Sequence, residues 1–73
     1  MEQTVNPLLR KIDELVMLVM IEGAEELTFR SVAERAQILC EASLQSLRRL
    51  EKTGKIEQAG ISKSTSLIMW RIR

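Results

Sequence analysis

The side chains with most capacity for chemistry crowd the end of the chain. Residues 48–73 carry Arg48, Arg49, Lys52, Lys55, Lys63, Arg71 and Arg73 against only Glu51 and Glu57. Residues 1–47 are acidic: Glu2, Asp13, Glu14, Glu22, Glu25, Glu26, Glu34 and Glu41 outnumber Arg10, Lys11, Arg30 and Arg35. The net charge of +1 hides this asymmetry, and a locally basic segment points to a polyanionic partner. Nucleophilic and metal chemistry find little support. The chain has no His, which removes His-based triads, His general acids and His-containing metal sites. One Cys makes neither an internal disulfide nor a Cys-cluster zinc site. There is no Gly-rich phosphate loop, and Glu25-Glu26 have no His, Cys or Lys placed to complete an acid–base site. The expectation is a protein that is not an enzyme and needs no cofactor.

The elements that must carry the basic residues follow from periodicity. Asn6-Pro7 supplies an N-cap and a first-turn proline, after a short arm over residues 1–6. A first helix over residues 7–22 places Leu8, Leu9, Ile12, Leu15, Val16, Val19 and Met20 on one wide arc. Met17, Leu18 and Ile21 fall outside that arc, so this helix is either buried on most sides or makes a dimer contact. Residues 25–29 suggest a short strand or turn, and Thr28 caps a second helix over 28–37 with Phe29, Val32, Ala33 and Ala36 on its packing face. Gln37-Ile38-Leu39 breaks the period as a turn.

A third helix over residues 40–53 sets Cys40, Ser43, Leu44, Leu47 and Leu50 on one arc, and Gly54 ends it. Its opposite face carries Glu41, Ala42, Gln45, Arg49 and Lys52, flanked by Ser46 and Arg48. Residues 55–73 form a hairpin, with Ser62-Lys63-Ser64-Thr65 at the tip and Ile68, Trp70 and Ile72 alternating along the last strand. Trp70 is expected to plug the core. The whole chain is then one α+β domain, mostly α, of three helices and a C-terminal two-stranded hairpin. At this length the core is thin and every apolar face is needed.

Helices two and three with their tight turn make a helix-turn-helix, and the trailing hairpin is a wing. The segment LTFRSVAERAQILCEASLQSLRRLEKTGKIEQAG, Leu27 to Gly60, resembles the core of winged helix-turn-helix regulators. The places that carry the likeness are Thr28, Val32-Ala33, Ile38, Leu47, Leu50, Gly54 and Ile56. In layout the chain is similar to small stand-alone members such as pilus-operon phase-variation regulators and the C-proteins of ferrous iron transport. Gln37 departs from the pattern, where such turns often carry Gly. So do Leu39 and Cys40 in place of Ser or Thr, Ser43 in the core arc, and Glu41 on the DNA-facing start of the third helix. Glu41 either accepts from a cytosine amino group or complements the helix N-terminus.

The resemblance implies sequence-specific double-stranded DNA binding in transcription regulation. The third helix would lie in the major groove with Ala42, Gln45, Ser46 and Arg49 at base edges. Arg48, Lys52, Lys63, Arg71 and Arg73 would hold phosphates. So few phosphate contacts call for a dimer or a partner protein, with Met17, Leu18 and Ile21 as the expected contact. The other reading is a winged helix used for protein–protein interaction, which near-neutral charge and Glu41 favour. Cys40 is either a redox-sensing thiol or a small buried hydrophobe, and its arc favours burial. The densest apolar run, Leu15 to Ile21, is far shorter than the ~20 residues that span a bilayer, and with a single thiol and no basic-then-apolar start the expected setting is cytoplasmic.

Overall fold

The computed structural model describes residues 7–23 and 26–73; the expected arm over 1–6, its Asn6 cap and Glu25 lie outside the described residues. The elements are α1 (Pro7–Gly23), β1 (Leu27–Thr28), α2 (Phe29–Ala36), α3 (Cys40–Lys52), β2 (Ile56–Ile61) and β3 (Ile68–Ile72). The hairpin of β2 and β3 gains β1 as a third strand, in the order β1-β3-β2, both pairings antiparallel. Leu27 sits opposite Trp70, so the sheet is stitched to the entrance of α2.

Val16, Val19 and Met20 of α1 meet Val32 and Ala36 of α2, Leu47 and Leu50 of α3, and Leu27, Ile56 and Trp70 of the sheet. Trp70 is 1% exposed and fills the centre as expected, although its indole Nε1–H has no acceptor among the described residues. The apolar arc of α1 is rotated from the expected one. Leu8 and Leu15 stand 65% and 41% exposed, whereas Met17 packs half-buried against the core. The reason is Asp13. It shares a side of α1 with Val16 and Met20, three and seven residues on, and bonds to α3, which turns Leu8 and Leu15 outward.

Local chemistry fixes how α2 meets α3. Thr28 caps α2 through its hydroxyl, which accepts from the Ser31 amide at 3.3 Å. The far end of α2 closes as a Schellman turn: the Ile38 amide donates to the Ala33 carbonyl and the Gln37 amide to that of Glu34. Gln37 itself is left-handed, at φ 58°, a conformation in which a side chain is strained and glycine is not. α3 ends the same way, with Lys55 donating to Leu50 and Gly54 to Glu51, but here the left-handed place, φ 82°, is held by Gly54. A bulge between Gln58 and Gly60 shifts the β2–β3 register, and Gly60 takes φ 129° there.

Candidate nucleic-acid interface

The inward side of α3 is Ser43, Ser46, Leu47 and Leu50, all buried. Both serines are 0% exposed and both are satisfied. The Ser43 hydroxyl donates to the Phe29 carbonyl at 2.9 Å, tying α3 to the first residue of α2. The Ser46 hydroxyl donates to the Asp13 carboxylate on α1 at 2.6 Å. Arg49, three residues along, grips the same carboxylate in a fork: Nη2 lies 2.7 Å from Oδ1 and Nε 3.1 Å from Oδ2. Burial opposes ionisation of Asp13, but the hydrogen bonds from Arg49 and Ser46 and the charges of Arg49 and Lys55 outweigh it. They hold the carboxyl below the ordinary aspartate range.

This lock corrects two expected roles. Ser46 is sealed against α1 and cannot reach a base edge. Arg49 projects toward α1 and spends its two-pronged geometry on Asp13, the same geometry that a guanine contact would require. Cys40, expected in the core arc, is exposed. Its place inside is taken by Ser46, because a carboxylate partner makes burial of a hydroxyl there inexpensive. Sequence reasoning passed over Asp13 itself. Its one signal was an acid bordering the apolar arc of α1; Ser46, its partner, stood beside the polar face of α3 on the wheel, so spacing alone did not point to the pair.

Rotating the buried side by half a turn puts the outward centre of α3 at Glu41, Gln45, Arg48 and Lys52, all exposed. None of these side chains has a hydrogen bond or ion pair among the described residues. Ala42 is half-buried on the α1 flank and Leu44 half-buried on the hairpin flank. Between α3 and the hairpin runs a groove of about 600 Å³ lined by Arg48 and Lys52 among others. One of its walls is braced by the Gln58 side-chain amide, which donates to Glu51 at 3.2 Å.

The hairpin divides its basic residues differently from expectation. At its tip the Ser66 amide donates to the Ser62 carbonyl and leaves Lys63 exposed on the turn. Arg71 alternates with buried Trp70, so it emerges from the opposite face of the sheet. Its register partner is Glu57, whose carboxylate lies 2.7 Å away, and Glu26 lies 3.8 Å away. Arg71 therefore has two carboxylates about it and does not share a side with α3, contrary to its expected phosphate role. Arg73 approaches Glu57 only at 4.0 Å and stays 64% exposed. The three expected dimer residues split: Leu18 and Ile21 are 54% and 60% exposed, while Met17 belongs to the core margin.

No family model matches the chain, and no curated protein matches it in sequence. Among solved structures it is similar to a zinc-responsive MarR family member, ZitR of Lactococcus lactis. The TM-score is 0.66 at 18% identity, over 97% of this chain and 45% of that one. The chain thus spans less than half the length of that protein, and the likeness is one of fold. Among the described residues no group of three or more His, Cys, Asp or Glu stands where it could hold a metal ion, and no helix is long and apolar enough to cross a membrane. With its tight turn between α2 and α3 and its strand hairpin behind them, the chain is folded as a winged helix-turn-helix.

Proposed function

We propose that this chain binds double-stranded DNA as a transcription regulator, with α3 in the major groove and the tip of the hairpin on the phosphate backbone. The observation that carries this reading is the outward face of α3. Gln45, Arg48 and Lys52 are exposed together there without protein partners among the described residues, while neighbouring Arg49 is tied down. Gln45 has the donor and acceptor pair that adenine N6 and N7 require, and Arg48 the fork that matches guanine O6 and N7. Ala42, at the flank, is small enough to meet a thymine methyl. Lys52 and Lys63 neutralise phosphates, whereas Arg73, two residues beyond Arg71 and near the same Glu57, is not counted with them. Arg48 thus takes the base-reading place that the resemblance implied for Arg49.

Glu41 lies on the same face, and its charge suits a protein partner better than a polyanion. Titration of the chain against random-sequence duplex at low and moderate salt separates the two readings. The expected result is measurable affinity at low salt that falls steeply as salt rises. Weak binding at both salts would move the α3 face to protein recognition. Selection from a random duplex pool then identifies the preferred site.

A further inference from the structure

α1 turns a second face to solvent that its packing does not use. Lys11, Leu15, Leu18 and Glu22 are all exposed, Leu15 at 41% and Leu18 at 54%. At 100° per residue they share an arc of about 60° on the side away from buried Val16 and Met20. Neither Lys11 nor Glu22 makes an ion pair among the described residues. Their spacing of four, three and four residues reads the same in both directions along the helix.

The geometry points to this face as the contact between two copies of the chain, α1 against α1 in antiparallel orientation. A two-fold axis midway between Val16 and Met17 sets Leu15 against Leu18 of the second copy, and Lys11 against its Glu22, each contact occurring twice. The order of chemical types, base–leucine–leucine–acid, is self-complementary only in that direction. Parallel packing would set Lys11 on Lys11 and Glu22 on Glu22. Antiparallel helices also place opposite macrodipole ends together. Ile21 flanks the seam and, at 60% exposed, adds apolar area. A ridge this narrow buries less than a standard interface, so the dimer is a weak one. The inference stands apart from DNA binding, since it uses none of the residues given to DNA, although Leu18 and Ile21 border the same groove as Lys52 of α3.

The test is the mass of the full 73-residue chain by sedimentation equilibrium from about 1 μM to 1 mM protein, without DNA. The wild type is expected to pass from monomer to dimer within this range. Lys11→Glu and Glu22→Lys should each weaken the dimer about fivefold to tenfold, and the double variant should return to within about threefold of wild type. Leu18→Glu should leave a monomer. All these positions are exposed, and an unchanged melting profile verifies that the fold is intact. A monomer throughout, single variants equal to wild type, or a double variant weaker than either single one would overturn the proposal. A dimer that fails to bind DNA would leave it standing and overturn only the DNA reading.

Discussion

Arg48 and Arg49 are adjacent in sequence and opposite in circumstance. Arg49 belongs to the seam between α1 and α3, where it and Ser46 share the Asp13 carboxylate. Arg48 belongs to the outward side, where nothing described engages its guanidinium. One turn of helix thus divides positive charge into a part that holds two helices together and a part left for a partner. The hairpin repeats the division: Arg71 lies between Glu57 and Glu26, while Lys63 stands out at the tip. The basic bias of the last third therefore overstates the charge available to a polyanion.

The comparison breaks most readily at the seam. Asp13→Ala leaves the Ser46 hydroxyl buried without its acceptor and Arg49 without its counter-charge. A cost of about 2–3 kcal/mol is expected from chemical denaturation, the range for a lost charge-assisted hydrogen bond. Asp13→Asn should cost less and should also alter the response to acid. The native fold holds the Asp13 carboxyl below its ordinary value, the case in which stability is present above the unfolded pKa and is lost as pH falls through the folded one. The wild type is therefore expected to lose stability progressively below about pH 4, and Asp13→Asn to show a shallower loss. Equal acid slopes in the two proteins would show that the lock contributes nothing.

The outward side is tested by Arg48→Ala, which should lower affinity for a selected DNA site about tenfold and relax preference at one base position. Folding should be nearly unchanged, because the side chain is exposed and unpartnered among the described residues. Loss of stability without loss of binding would invert the assignment of the two arginines.

The sequence already told which segments are helical and where the hairpin turns, because apolar spacing, Thr28 and Gly54 are local signals of local structure. It did not tell the rotation of α1 or α3 about its own axis. That rotation is set by the pairing of Asp13 with Ser46, 33 residues apart, which no periodicity encodes. Counting leucines put Cys40 inside and Ser46 at the margin, since a wheel weighs hydrophobicity and knows nothing of hydrogen-bond partners. The same blindness assigned Arg49 to bases and Arg71 to phosphates, because charge is legible in sequence and its neutralisation by a distant carboxylate is not. The departure at Gln37 was legible as an oddity, and its physical content, a left-handed residue closing a Schellman turn, required the backbone.

That turn offers a smaller test. Gln37→Gly should raise stability by about 0.5–1 kcal/mol, the relief of a strained left-handed side chain exceeding the added freedom of the unfolded chain. Gly54→Ala, at the equivalent place after α3, should lower stability by a similar amount, since its φ of 82° suits glycine alone. Opposite signs at two matched turns would sharpen the contrast between the ends of the two helices, and equal signs would refute it.

The smallest expected effect lies at the tip of the hairpin. Lys63→Ala should weaken binding about twofold to threefold at low salt, to a similar degree for every duplex sequence. It should reduce the slope of log affinity against log salt by about one, as one fewer phosphate is neutralised. Arg71→Ala should change neither, because its charge is already offset by Glu57 and Glu26 on the other face of the sheet. If the two substitutions lowered the slope equally, ion pairing would not be what separates the basic residues of the hairpin, and the division drawn between Arg48 and Arg49 would lose its counterpart there.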